Sequence, residues 1–142
     1  LSNGLVPTVV VVLGYFLGWG PIPYICSIAA VTADKFASEL GVLGGEPVSL
    51  DGLKRVPPGT SGALSSTGTL SSLAGSAAVG IAAMFLFGIG PNMALLVAFA
   101  GFAGGMVDTV FGVFEEKGFG TKGTTNIICS IVGALIGLMV IL

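Results

Sequence analysis

The chain has 142 residues, enough for one domain, and only 8% of them are charged against 54% hydrophobic, where soluble domains carry about 25% charged residues. With a mean hydropathy of +1.04 it reads as an all-α integral membrane protein, and a net charge of −2 provides no basic field for nucleic acid. Histidine is absent and the two cysteines, Cys26 and Cys129, lie far apart in apolar runs; they read as buried thiols, and zinc, haem and Ser-His-Asp chemistries lack their residues.

Residues 1–33 contain no Asp, Glu, Lys or Arg, but "GWGPIPY" interrupts them with Gly20, Pro21 and Pro23, a turn signature. This predicts spans near 3–19 and 24–41. Leu1 stands where a Met would begin a natural chain, and no basic residue precedes the apolar run. That makes residues 1–19 a poor signal peptide, and the expectation is a segment trimmed from a longer chain. A second charge-free stretch, 56–107, is too long for one helix and is divided by "GIGPNM", predicting spans near 62–87 and 91–114. The final span lies near 123–142. The expected architecture is a single domain over 1–142, with about five transmembrane helices and a polar pocket on the cytoplasmic side. The 24 glycines suit closely packed membrane helices.

Alternating the spans puts the turns at 20–23 and 88–91 on one side, and the connections 42–61 and 115–122 on the other. Every charged residue falls in the latter connections or in the helix ends leading to them. Lys54, Arg55, Lys117 and Lys122 are among them, so the positive-inside rule makes that side cytoplasmic.

The stretch "TADKFASELG" places Asp34, Lys35 and Glu39 at the end of the second span. Lys35 and Glu39 are one turn apart and can pair with each other. Asp34 lies about 15–20 Å in from the 20–23 turn, below the membrane surface, where a carboxylate must be paired, metal-bound or wet. Ser38 follows one turn later on its face. Lys54 and Arg55 then precede two prolines and Gly59-Thr60-Ser61-Gly62, read as a glycine-rich turn opening a helix. Unpaired amides and the helix dipole at such a tip suit a phosphate, although the same residues also mark any loop-to-helix boundary. No Walker loop is present. Asp108 sits near the cytoplasmic end of the fourth span among Gly104, Gly105 and Gly112. Glu115, Glu116, Lys117 and Lys122 read as a solvated loop, and Asn126 as a cap on the last helix.

Two isolated acids thus reach the same membrane face as a basic, glycine-rich helix tip. Asp34 and Asp108 suit Mg²⁺, which draws on one or two carboxylates with water and phosphate completing its shell. Lys54, Arg55 and Gly59–Gly62, with Asn126, suit nucleotide phosphates. This is the equipment of phosphoryl or nucleotidyl transfer, whose catalysis is mainly positioning and charge neutralisation.

At these residues the sequence resembles the integral-membrane family of domain of unknown function 92, which includes the chloroplast phytyl-phosphate kinase. The motifs are "LSNGLVP", "TADKFASELG", "RVPPGTSGALSSTGTLSSLAG", "GGMVDTVFGV" and "TTNIICSIVGALIG", in the family's order along nearly the whole chain. The resemblance implies a multi-helix enzyme moving a phosphoryl group from a nucleoside triphosphate, often CTP, to an isoprenoid monophosphate. It also implies distant kinship with lipid cytidylyltransferases and polyprenol kinases. Asp34, Ser38 and Glu39 fall on its Asp-x-x-x-Ser-Glu, Arg55 to Gly62 on its basic-Val-Pro-x-Gly-Thr-Asn-Gly, Val107 to Thr109 on its Val-Asp-Ser, and Asn126 on its late Asn. Lys35-Phe36 replace a common Thr-Trp, and Ser61 replaces an Asn whose amide could read a base. Many members have further N-terminal helices; without them a second copy, in a homo-oligomer, is expected to complete the acceptor groove.

Three functions follow as expectations. The first is a Mg²⁺-dependent, CTP-type kinase of isoprenyl monophosphates, its lipid acceptor entering from the bilayer. The second is a lipid-phosphate cytidylyltransferase. The third is a small channel or transporter lined by Asp34 and Asp108.

Overall fold

The computed structural model describes residues 1–142 as five α-helices: α1 (Ser2–Leu17), α2 (Ile22–Gly41), α3 (Ser66–Phe87), α4 (Pro91–Glu116) and α5 (Lys122–Ile141). The punctuation is where the glycines and prolines place it. Gly18 ends α1 in the left-handed conformation, at φ +69°, where the lack of a Cβ removes the steric penalty. Pro91 occupies the first turn of α4, where its missing N–H costs nothing. Helices α3, α4 and α5 are long and apolar enough to cross a membrane. Helix α1 is apolar but has only 16 residues, and α2 carries the charged stretch at its end. The expectation of about five transmembrane helices is therefore met as five helices, three of them with the length and composition of a full span.

The third span begins later than its charge-free run suggests, at Ser66 rather than Gly62. Gly62 has φ +76°, and Ala63–Leu64 form a short strand, β2, antiparallel to β1 at Val48–Ser49. Ser65 is extended and its Oγ accepts a hydrogen bond from the Gly68 amide at 3.0 Å, which caps α3. Absence of charge marks what can enter lipid and is silent about where a cap lies. The 42–65 connection is thereby tied down: Leu50 N–H donates to the Gly62 carbonyl at 2.9 Å, and Val56 N–H to that of Pro47 at 3.0 Å.

Helix α2 is central and packs against the other four. Its buried face is Ile22, Ile25, Cys26, Ala29, Ala30, Ala33 and Asp34. Both thiols are free and buried; Cys129 Sγ donates to the Ala30 carbonyl at 3.3 Å. Glycines set the helix spacing. A Cβ on Gly104 of α4 would lie 2.6 Å from that of Ala30 and 2.8 Å from the Cys129 carbonyl, so α2, α4 and α5 meet backbone to backbone.

Size is distributed inversely to a soluble protein. The largest fully buried side chains are Val97, Pro23 and the two cysteines, followed by serines, whereas Phe85, Leu86, Leu95, Phe99 and Met139 are exposed. An outward apolar surface around a small-residue interior is the arrangement of helices in lipid, where packing rather than water exclusion joins them. The connection topology brings the start of α1, the end of α2, the start of α3, the end of α4 and the start of α5 to one end of the bundle.

Candidate functional site

At that end a cavity of about 430 Å³ opens between α2, α3 and α4, roofed by the 58–65 segment. Asp34 and Asp108 form its inner wall, at 5% and 4% exposure. Asp108 faces inward because α4 carries Gly104, Gly105 and Gly112 on the turns around it. A Cβ on Gly105 would stand 3.3 Å from that of Ala33, so α4 lies close enough to α2 to bring the two acids together.

Between them stands Lys122. Its Nζ donates to Asp108 Oδ2 at 2.7 Å and to Asp34 Oδ1 at 3.2 Å. Lys35 is a more distant neighbour, with Nζ 3.8 Å from Asp34 Oδ2. Two expectations are corrected here. Lys35 turns toward Asp34 and makes no ion pair with Glu39, since the deeper carboxylate is the one in need of a cation. The 115–122 segment is a solvated loop only in part: residues 117–121 are an exposed turn, but its two ends are engaged. Lys122 is the first residue of α5, and Glu115 accepts from Ser61 Oγ at 2.8 Å and from Thr125 Oγ1 at 3.2 Å. Glu116 accepts from the Ser61 amide at 2.9 Å. These two glutamates strap the roof to the ends of α4 and α5. Of the segment's charged residues only Lys117, paired with Asp51 at 3.7 Å across exposed surface, behaves as the loop reading expected.

The remaining sequence candidates divide. Ser38, Gly59, Thr60, Ser61 and Gly62 line the cavity, and Ser38 Oγ donates to the Asp34 carbonyl at 2.9 Å. The 59–62 turn is not a helix tip, and its amides are partly engaged: Thr60 N–H donates to the Pro57 carbonyl at 3.3 Å, and Ser61 N–H to Glu116. The tip lies four residues on, where Ser65, Gly68 and Thr69 line the same cavity; the positive end of α3 therefore still faces it. Lys54 and Arg55 are exposed on the hairpin and do not line the cavity, and neither does Glu39. Asn126 is not a cap, because Thr121 caps α5 by accepting from the Thr124 amide at 3.3 Å. It sits one turn inside, 5% exposed.

Lys122 and Glu115 escaped the sequence reading. A signal for Lys122 existed: a lysine at the first helical position opposes the helix dipole, so acids must offset it.

Two buried acceptors here, Asp108 Oδ1 and Asn126 Oδ1, have no hydrogen-bond partner. Buried polar atoms are rarely left so, and both mark places for a donor or cation. The donor set fits Mg²⁺: hard carboxylate oxygens from two helices, with no third acid, His or Cys in a ligating group, leaving the rest of the shell to phosphate and water.

Gly62 seats the roof. A Cβ there would lie 2.6 Å from the Val113 amide nitrogen, in a residue already at φ +76°. Gly62→Ala is expected to lower stability by about 1–3 kcal/mol, read as a lower melting temperature in detergent.

The sequence profile of the family described as Integral membrane protein DUF92 matches residues 1–139. The chain belongs to this family. A relative described as an uncharacterized membrane protein of Methanocaldococcus jannaschii is 38% identical over 143 residues, covering 99% of this chain and 60% of its own length. The chain thus spans about three-fifths of the curated relative it matches. No solved structure matches it. The DUF92 match takes in every cavity residue named above.

Proposed function

We propose that this DUF92 chain is a membrane-embedded phosphotransferase that moves a phosphoryl group from a nucleoside triphosphate of the CTP type to an isoprenyl monophosphate. The observation that carries the reading is the meeting of Asp34, Asp108 and Lys122 at the wall of a polar cavity, within a bundle whose outer surface is apolar. Buried carboxylates are costly in such a setting and mark function by default. The charge-bearing end faces the cytoplasm in this reading, as the positive-inside rule requires, and so opens to the nucleotide pool. The lipid acceptor approaches from the bilayer.

In the reaction an oxygen of the acceptor monophosphate forms a bond to the γ-phosphorus while the bond from that phosphorus to the β-bridging oxygen breaks, releasing a nucleoside diphosphate. The acceptor is already anionic, so no general base is needed. What the chain must do is hold anions close together. The α3 tip and the Ser65 and Thr69 hydroxyls offer donors to phosphate oxygens, and Lys122 offers a mobile charge. Lys54 and Arg55, exposed at the same end, make the approach to the mouth favourable for a triphosphate. Mg²⁺, held by Asp34 and Asp108, would supply neutralisation of the phosphate charge. The resemblance set out from the sequence supports an isoprenoid acceptor, and the cavity chemistry supports a phosphate donor.

Product analysis tests the reading. Purified protein in detergent with CTP, Mg²⁺ and phytyl monophosphate is expected to release CDP. Release of pyrophosphate instead would make the protein a cytidylyltransferase, and nucleotide-independent solute flux in proteoliposomes would make it a channel.

A further inference from the structure

We infer that Lys122 is a resident cation occupying the divalent-metal position between Asp34 and Asp108, and that arrival of the metal transfers its ammonium to the nucleotide phosphates. The inference rests on the phosphotransferase reading only for the identity of the anion.

Charge balance is the first argument. Two carboxylates face two ammoniums, Lys122 in close contact with both acids and Lys35 the looser partner at 3.8 Å from Asp34 Oδ2, so the cluster is balanced without a metal. A divalent ion on the same two acids would neutralise them and leave Lys122 with a spare positive charge. That charge then requires an anion.

Mobility is the second. The carboxylates are 6% exposed whereas the Lys122 side chain is 41% exposed and lines the cavity. The acids sit in mid-helix on packed faces, so they are fixed; the lysine is at a helix start with open space beside it. Of the three groups only Lys122 can leave without unfolding a helix.

The third is the unserved acceptor. The ammonium takes one oxygen from each acid, and Asp108 Oδ1 remains buried without a partner. The Lys122 ammonium leaves the acid pair incompletely satisfied.

Metal and nucleotide are then coupled through one side chain. The metal alone must displace Lys122 with no new partner for it, so it binds weakly. With phosphates present the displaced ammonium finds oxygens, and each ligand strengthens the other reciprocally.

The test is calorimetric titration of Mg²⁺ alone into the nucleotide-free full chain. Lys122→Met and Lys122→Gln are expected to bind Mg²⁺ at least tenfold more tightly than the wild-type protein, and Asp108→Asn added to Lys122→Met is expected to remove the gain. Thermal melts report whether each variant is folded, and Mg²⁺ is expected to raise the melting temperature of the variants more than that of the wild type. Equal or weaker Mg²⁺ affinity in both variants, or no binding in any protein, overturns the inference. Tighter Mg²⁺ binding without phosphoryl transfer by the wild type would sink the transferase reading and leave the place of Lys122 standing. Transfer without tightening would do the reverse.

Discussion

Asp34→Asn and Asp108→Asn are each expected to lower phosphoryl transfer by about a thousandfold while leaving the protein folded in detergent. Removing one preorganised charge-stabilising group from an active site costs on the order of a hundred- to a thousandfold, and an ion held by only two carboxylates loses half its protein ligands in either variant. Folding survives because Lys122 retains one carboxylate in each single variant, at 2.7 Å or 3.2 Å. The double variant differs, since it leaves the ammonium without a carboxylate partner and should melt well below either single one. Transfer rates and helical circular dichroism, measured on the same preparations, separate the effects. Wild-type turnover in either single variant would remove that acid from the chemistry.

Gly104→Val should destabilise the bundle by about 3 kcal/mol, the upper part of the range for overpacking a tight interior. The position faces Ala30 of α2 and the Cys129 backbone of α5 at once. Neither backbone can retreat without opening an interface, so no single rotamer change relieves the clash. The expected readouts are a much lower melting temperature and loss of monodisperse protein in detergent. An unchanged melting temperature would mean that α4 is not packed at this depth.

The helices were legible because a membrane chain states them crudely. Charge-free runs broken by "GWGPIPY" and "GIGPNM" put the outer turns within a residue or two of where they lie. The convergence of Asp34 with Asp108 was legible too, since both acids lie past the middle of their helices toward the same end of the bundle. What stayed hidden depends on tertiary contact. Whether Lys122 faces water or two acids is decided by how α5 docks; its place at a helix start in "KGFGTKGTT" calls for acids to offset it but does not say which. The start of α3 was displaced by a strand pairing between residues fourteen and sixteen positions apart, which no local pattern announces. Lys54 and Arg55 read as the phosphate-binding cations and Lys122 as part of a solvated loop. Only the fold separates those exposed on the hairpin from the one that reaches the acids.

The interior of this bundle is built from alanine, glycine and serine, with Ala29, Ala30, Ala33 and Ala100 wholly enclosed. Truncation has little left to remove there. An alanine scan, the usual survey for residues that matter, would therefore pass over the centre of the molecule almost without a mark. Its critical positions will show themselves only to a scan that adds atoms.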